Sequence, residues 1–284
     1  MIPEQILTLL GEPFAEEASS LCGGFEAEEI RLRAGSPLTV VTSAGERAGR
    51  LIPDERWLYG LLIRICGGSM HSYGDCIAEG WAPLPDGGRV GVCGRAVVEG
   101  DKVTGVSGVY SLNLRISHSV SGVGREICEY FASGRYSKGI LICSLPGVGK
   151  TTLLRDVAAT LARPPYLRRV AVIDTRSELW RTDMFRGTLA DRFDRYPRGA
   201  GIELAVRTMS PHCIVCDELG GSETGAVLRA QSSGVPLIAS AHAEGAEGAL
   251  KRRGLRELCD EGVFGCIVGL SRRGGEFSFD FHEI

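Results

Sequence analysis

"LICSLPGVGKTTLLRD", Leu141 to Asp156, is the stretch whose reading decides how this chain folds. An apolar run ending at Cys143 passes through a short glycine-rich turn into residues 151–161, where good helix formers carry apolar residues at Leu153, Leu154, Val157 and Leu161. Strand, loop and helix in that order are the context in which a G-x-x-x-x-G-K-[ST] pattern binds phosphate. Ser144 stands where that pattern has its first glycine. The departure leaves the electrostatics in place, because the first position only launches the turn. Gly147 and Gly149 free the backbone to aim N–H groups at an anion, and the helix start adds partial positive charge. Lys150 can reach β- and γ-phosphate oxygens, and Thr151 offers a hydroxyl to Mg²⁺. Ser144, Pro146, Gly147, Val148, Gly149, Lys150, Thr151 and Thr152 therefore form the candidate site for ATP. The chain has 28 arginines and four lysines, so a lysine at the one position that wants a compact, flexible ammonium is informative.

Beyond the loop, the apolar runs "GILIC", "VAVID", "CIVCD" and "PLIASA" alternate with helix-like stretches such as "TTLLRDVAATLA" and "ETGAVLRAQSSG". That rhythm predicts βαβ units around a parallel-rich sheet. Two more strand-like runs, "FGCIVGL" and "EFSFDFHEI", close the chain. Upstream of about residue 118 the texture differs, with many glycines and short β-like runs such as "LTVVTSAG", "GGRVGVCGRAVV" and "LNLRIS". The expectation is an α/β chain in two parts: a smaller α/β N-terminal domain over 1–118 and a P-loop ATPase domain over 119–284.

Composition agrees with this size. The 284 residues are 44% hydrophobic and 24% charged, with a formal net charge of −3, as in an ordinary globular chain long enough for two domains. Its charge-free apolar stretches fall short of the roughly 18 residues that a membrane span needs. The start, "MIPEQILTLLGEPFAEE", has no basic n-region and turns acidic at once, so a cytoplasmic location is expected. Among ten cysteines one C-x-x-C occurs, at Cys213 and Cys216. On a strand, positions three apart face opposite sides of the sheet, so these read as buried small hydrophobes in a reducing compartment, not as a metal or redox pair.

Hydrolysis needs carboxylates as well as a phosphate loop. "CIVCDEL" sets Asp217 and Glu218 at the end of an apolar run, the Walker B arrangement, with Asp217 facing Mg²⁺ and Glu218 a candidate base. "VAVIDTRSELW" ends another run at Asp174 and continues through Arg176 to Glu178; read alone, it is a strand-end turn with a capping acid. In "LIASAHAEG", His242 follows a further run whose strand is expected beside the Walker B strand. At a strand's carboxyl end it would face the crevice where ligands bind and could sense the γ-phosphate.

Walker A, the acidic box "IDTRSEL", Walker B "DEL" and the histidine box "SAHAEG", in that order, resemble the secretion-type ATPases, motors of type II and type IV secretion and of pili. With "EIRLRAGSPLTVV" and "RTMSPHCIVCDELG", the resemblance extends over nearly the whole chain to the stage III sporulation AA family of endospore-forming bacteria. It implies a RecA-like ATPase domain behind the smaller N-terminal domain, assembled as a homo-oligomeric ring, hexameric, with nucleotide between domains and subunits. The implied task is to energise or assemble a membrane-embedded channel complex between mother cell and forespore, so the chain would sit at the cytoplasmic face of a membrane through its partners. It also ranks Glu178 ahead of Glu218 as the activating carboxylate, while both stay open.

A ring needs a positive group from a neighbour to stabilise the transferring phosphoryl group. Arg89, Arg95, Arg115 and Arg207 are the candidates, with Arg115 the expected catalytic one. The first thirty residues hold seven glutamates and no Lys or Arg, whereas residues 181–198 hold five arginines and three aspartates; the plain reading is a solvated helix and a solvated loop. Two rival functions fit the same binding residues. One is a nucleic-acid-dependent motor, opposed by the net negative charge and the lack of a basic stripe interleaved with aromatics. The other is a nucleotide-dependent assembly switch with little turnover.

Overall fold

The computed structural model describes residues 1–284 other than 86, 119, 135, 136, 232, 274 and 275, and the side chain at 222 is also left aside. The chain divides into two compact units, Met1–His118 and Ser119–Ile284.

In the first unit the elements run α1 (Glu4–Leu10), α2 (Phe14–Cys22), β1 (Ala27–Arg33), β2 (Ser36–Thr42), β3 (Gly45–Ala48), α3 (Glu55–Ile65), α4 (Gly74–Ala78), β4 (Trp81–Pro83), β5 (Arg89–Glu99) and β6 (Lys102–Arg115). The six strands form one sheet in the order β3-β2-β1-β6-β5-β4, antiparallel throughout. Alternate residues such as Ile30, Leu32, Leu38, Val40, Leu112 and Leu114 bury on one face against Ile6, Leu10 and Ala18 of the first two helices. Helix α3 lays Leu58, Leu61, Leu62 and Ile65 on that core, and the Asp54 carboxylate caps it by accepting from Trp57 N at 2.7 Å. The glycine-rich texture of this half masks α3 in the sequence, although its i, i+3, i+4, i+7 apolar spacing is regular.

The second unit contains α5 (Arg125–Ser133), β7 (Gly139–Ser144), α6 (Lys150–Leu161), β8 (Val170–Asp174), α7 (Thr182–Phe185), β9 (Ala190–Asp194), α8 (Arg198–Met209), β10 (Cys213–Cys216), α9 (Thr224–Gln231), β11 (Leu237–His242), α10 (Gly245–Leu250), α11 (Arg253–Asp260), β12 (Phe264–Arg273) and β13 (Glu276–Glu283). The sheet order is β13-β12-β7-β11-β10-β8-β9. All neighbours are parallel except the hairpin of β12 with β13. Each central strand feeds two cores. Ile140, Ile142, Val170, Val172 and Val215 pack with Leu153, Leu154 and Val157 of α6, while Leu141, Cys143, Ile173, Ile214 and Ala239 pack with Ile202 and Ala205 of α8 and Leu255 of α11. Burial on both faces explains why these strands read as continuous apolar runs.

Cys213 and Cys216 divide between those two cores, and burial pushes both thiols up to about 12. The segment 181–198 is more structured than a solvated loop. It contains β9, which pairs in parallel with β8 at the sheet edge and buries Phe193. An edge strand is pinned on one side only, so four of its five positions tolerate partial exposure and its charges hide the strand period.

Candidate functional site

Parallel strands send all their carboxyl ends to one edge, and that edge gathers the polar side chains. Strand β7 ends at Ser144, β8 at Asp174, β11 at His242, and Asp217 follows the end of β10. Ser144 is directly in register with His242, and Cys216 with both Ile173 and Ala239, so the four ends lie abreast.

The loop after β7 turns through Gly147 and Gly149, whose φ values of 78° and 115° lie in the left-handed region that glycine adopts without strain. Gly149 stands at the N-cap of α6, so that position brings no side-chain oxygen to the first N–H groups of the helix. Pro146 and Gly147 are exposed, while Val148, Thr151 and Thr152 are half-buried. The β12–β13 hairpin braces the loop. Arg272 Nε donates to the Val148 carbonyl at 3.0 Å, and a Cβ at Gly149 would come within 2.8 Å of the Phe277 ring. Nothing in the local motif signals Arg272 or Phe277, which arrive from more than 120 residues away.

Lys150 lies folded into the loop and is only 6% exposed. Its ammonium donates to the Ser144 carbonyl, the Ser144 hydroxyl and the Leu145 carbonyl, each at 3.1 Å, and lies 3.1 Å from His242 Nδ1. Burial lowers its pKa, and the Glu218 carboxylate opposes that shift. An ammonium cannot accept, so Nδ1 acts as the acceptor and Nε2 carries the imidazole proton, directed at Glu218 Oε1 at 3.3 Å. The other Glu218 oxygen meets Arg176 Nη1 at 2.9 Å. Glu218 itself has φ 47°, an unusual conformation for a residue with a side chain, and its N–H is anchored on the buried Ser240 hydroxyl at 3.0 Å.

Beside this chain of contacts lies a buried pair of acids. Asp174 is fully buried and accepts from Glu178 N at 2.7 Å and Trp180 N at 2.9 Å, so it shapes the turn that carries Glu178. Burial raises its pKa. Asp217 is 2% exposed, and burial, followed by the nearby Asp174 carboxylate, pushes its pKa up to about 6. Its Oδ1 makes no hydrogen bond, since Arg198 Nη2 stands 3.9 Å away, beyond hydrogen-bond reach. Arg198 opens α8 and pairs with Glu223 at 3.1 Å; it sits in an arginine-rich stretch of sequence where no single arginine stands out.

The structure thus brings Ser144, Lys150, His242 and Glu218 into one connected group, with Asp217 on the adjoining strand end. Glu178 is half-buried, and its backbone N–H donates to Asp174, which lies beside Asp217. Arg115 lies in the other unit, 70% exposed, with Nε 3.3 Å from Glu29 Oε1. Arg89 places its guanidinium 4.6 Å from the Trp81 ring centroid, and Arg207 is exposed on α8.

The residues present fit a magnesium nucleotide. A cation with its waters would satisfy the orphaned Asp217 oxygen, and the uncapped start of α6 suits phosphate.

Comparison with known proteins gives concordant results. The sequence profile described as "Sporulation stage III, protein AA" matches residues 15–278. Stage III sporulation protein AA of Bacillus subtilis (strain 168) is 29% identical over 261 residues, covering 88% of this chain and 84% of that protein. Among solved structures, the Legionella pneumophila ATPase DotB superposes with a TM-score of 0.65 at 18% identity, over 94% of this chain and 78% of its own. The pilus retraction motor PilT, determined with bound ADP, gives a TM-score of 0.64 at 16% identity, over 99% and 83%. At such identities the likeness is one of fold: a RecA-like domain with a parallel-rich sheet, preceded by a smaller α/β domain.

Proposed function

From the premise that this chain belongs to the Sporulation stage III, protein AA family, we propose that it is a magnesium-dependent ATPase of the secretion-motor type. The observation that carries the reading is the contact chain Lys150–His242–Glu218, at 3.1 and 3.3 Å, set beside a buried Asp217 whose Oδ1 accepts no hydrogen bond among the described residues. The amides at the start of α6 and Lys150 would hold the phosphates, while Thr151 and Asp217 would hold the cation, whose charge neutralises the phosphate oxygens.

Division of labour between the two glutamates follows from their surroundings. Both oxygens of Glu218 are engaged, one by His242 and one by Arg176, which suits it to fixing the imidazole beside Lys150. Glu178 sits on a turn held rigid by Asp174, and it is the residue assigned here to orient the attacking water. His242 links the lysine that meets phosphate to the Walker B strand, so a change at the γ-phosphate would be passed to Glu218.

The proposed working form is a homo-oligomeric ring, hexameric, docked on membrane-embedded channel proteins of the sporulating cell, with a positive group supplied by a neighbouring subunit. Arg115 is the first candidate for that group. The direct experiment is ATP turnover by the purified chain with and without magnesium and single-stranded DNA, together with the mass of the particle. Magnesium-dependent turnover that ignores DNA, from an oligomer, supports this reading. Turnover driven by DNA would replace it with a nucleic-acid motor, and binding with a mass change but no turnover would replace it with an assembly switch.

A further inference from the structure

The lysine of the phosphate loop is held by a hydroxyl that the glycine-first pattern does not contain. Ser144 and His242 end neighbouring parallel strands in direct register, and both side chains converge on the Lys150 ammonium. With the carbonyls of Ser144 and Leu145, four acceptors surround a group that has three protons to give. The Ser144 hydroxyl donates its proton to the Leu145 carbonyl at 2.9 Å, which leaves its lone pairs facing the ammonium. To meet a phosphate oxygen the ammonium must give up some of these partners. The two carbonyls would be present whatever residue stood at 144; the Oγ at 3.1 Å comes from the side chain. Ser144 and Lys150 are both buried, where a hydrogen bond to a charged donor is stronger than in water.

We propose that Ser144 is a catch: its hydroxyl stabilises the retracted position of Lys150 and thereby sets the affinity of the loop for nucleotide. It is a positioning residue acting through Lys150, and the proposal rests on the ATP reading given above. An acceptor that favours the retracted over the engaged lysine lowers apparent affinity by the fraction of molecules it withholds.

Two measurements test this on the full-length chain. The first is equilibrium binding of ATP with magnesium to the parent, Ser144→Ala, Ser144→Gly and Ser144→Thr. The second is the rate at which an acylating reagent labels the Lys150 amine without nucleotide, read by mass spectrometry of its peptide; the other three lysines, 102, 138 and 251, serve as internal standards. Ser144→Ala and Ser144→Gly are expected to bind ATP about three- to tenfold more tightly and to label faster at Lys150, whereas Ser144→Thr, which keeps the hydroxyl, stays with the parent. If the parent binds ATP, and Ser144→Ala binds it equally or more weakly with unchanged labelling, the catch is wrong and the ATP reading stands. If no variant binds ATP, both fail together, whatever the labelling rates.

Discussion

The two sheets of this molecule use the same kinds of apolar residue to opposite ends. In the amino-terminal unit six antiparallel strands alternate in direction, so their carboxyl ends divide between the two edges, and one face of the sheet is packed by helices. In the carboxyl-terminal unit six parallel strands bring every carboxyl end to one edge and bury both faces. Only the second arrangement collects Ser144, Asp174, Asp217 and His242 from four separate stretches of sequence. On the antiparallel sheet Glu29 instead gathers Arg31 of its own strand with Asn113 and Arg115 of β6. The polar cluster at the edge of the parallel sheet is thus a consequence of topology, whereas the antiparallel sheet divides its strand ends between two edges.

That contrast can be broken experimentally. The largest effect is expected at Arg115, because a positive group reaching a transferring phosphoryl is worth on the order of 10³ or more in turnover. Arg115→Ala should cut ATP hydrolysis by about that factor while leaving binding to the separate subunit intact. A normal rate would remove the amino-terminal sheet from the chemistry, or pass its role to Arg89 or Arg95. Next comes Glu178→Gln, which should slow turnover roughly 100-fold with ATP still bound, since the amide keeps the size and removes the charge that polarises water. Glu218→Gln should cost less, and the reverse order would hand the role of base to Glu218.

Packing separates the two regions more gently. Leu61 is fully buried in the amino-terminal core, and Leu61→Ala should destabilise that unit by about 2–5 kcal/mol in denaturant melts. ATP affinity should be retained in the same protein, and its loss would show that the site does not belong to the parallel sheet alone. The smallest effect concerns pH. Asp217 titrates near 6 in the folded chain against an ordinary carboxylate value near 4, so the folded state holds its proton more tightly than the unfolded state does. Its burial therefore costs nothing below about pH 4 and destabilises increasingly as pH rises through about 6. Asp217→Asn should melt about 2–5 °C above the nucleotide-free parent at pH 7.5, and the gap should close at pH 4. An equal gap at both pH values would show that ionisation is not its cause.

What the sequence discloses divides along the same line. The parallel sheet is legible because each strand, buried on both faces, is an unbroken apolar run, and because the phosphate loop fixes the first of them. Asp217 and His242 announce themselves by standing at the ends of such runs. The remainder depends on contacts distant in the chain. Arg272 and Phe277 meet the loop only through the hairpin, and β9 is an edge strand disguised by charge. Lys150 reads as a phosphate ligand, yet it lies buried against Ser144 and His242 because strands β7 and β11 are neighbours, which no local pattern records. Asp174 is what its local sequence suggests, a capping acid at a strand end, and its further importance comes from lying next to Asp217.

The loop from Ser144 to Thr152 is proposed to hold ATP through Lys150. The most direct test of this role is equilibrium binding of ATP with magnesium to the purified parent and to Lys150→Ala, with circular dichroism and melting to verify that both are folded. Saturable binding by the parent is expected, with at least a roughly 100-fold loss in the variant, the scale of a charged phosphate contact removed from a buried site. A folded Lys150→Ala that binds ATP as the parent does would contradict this role.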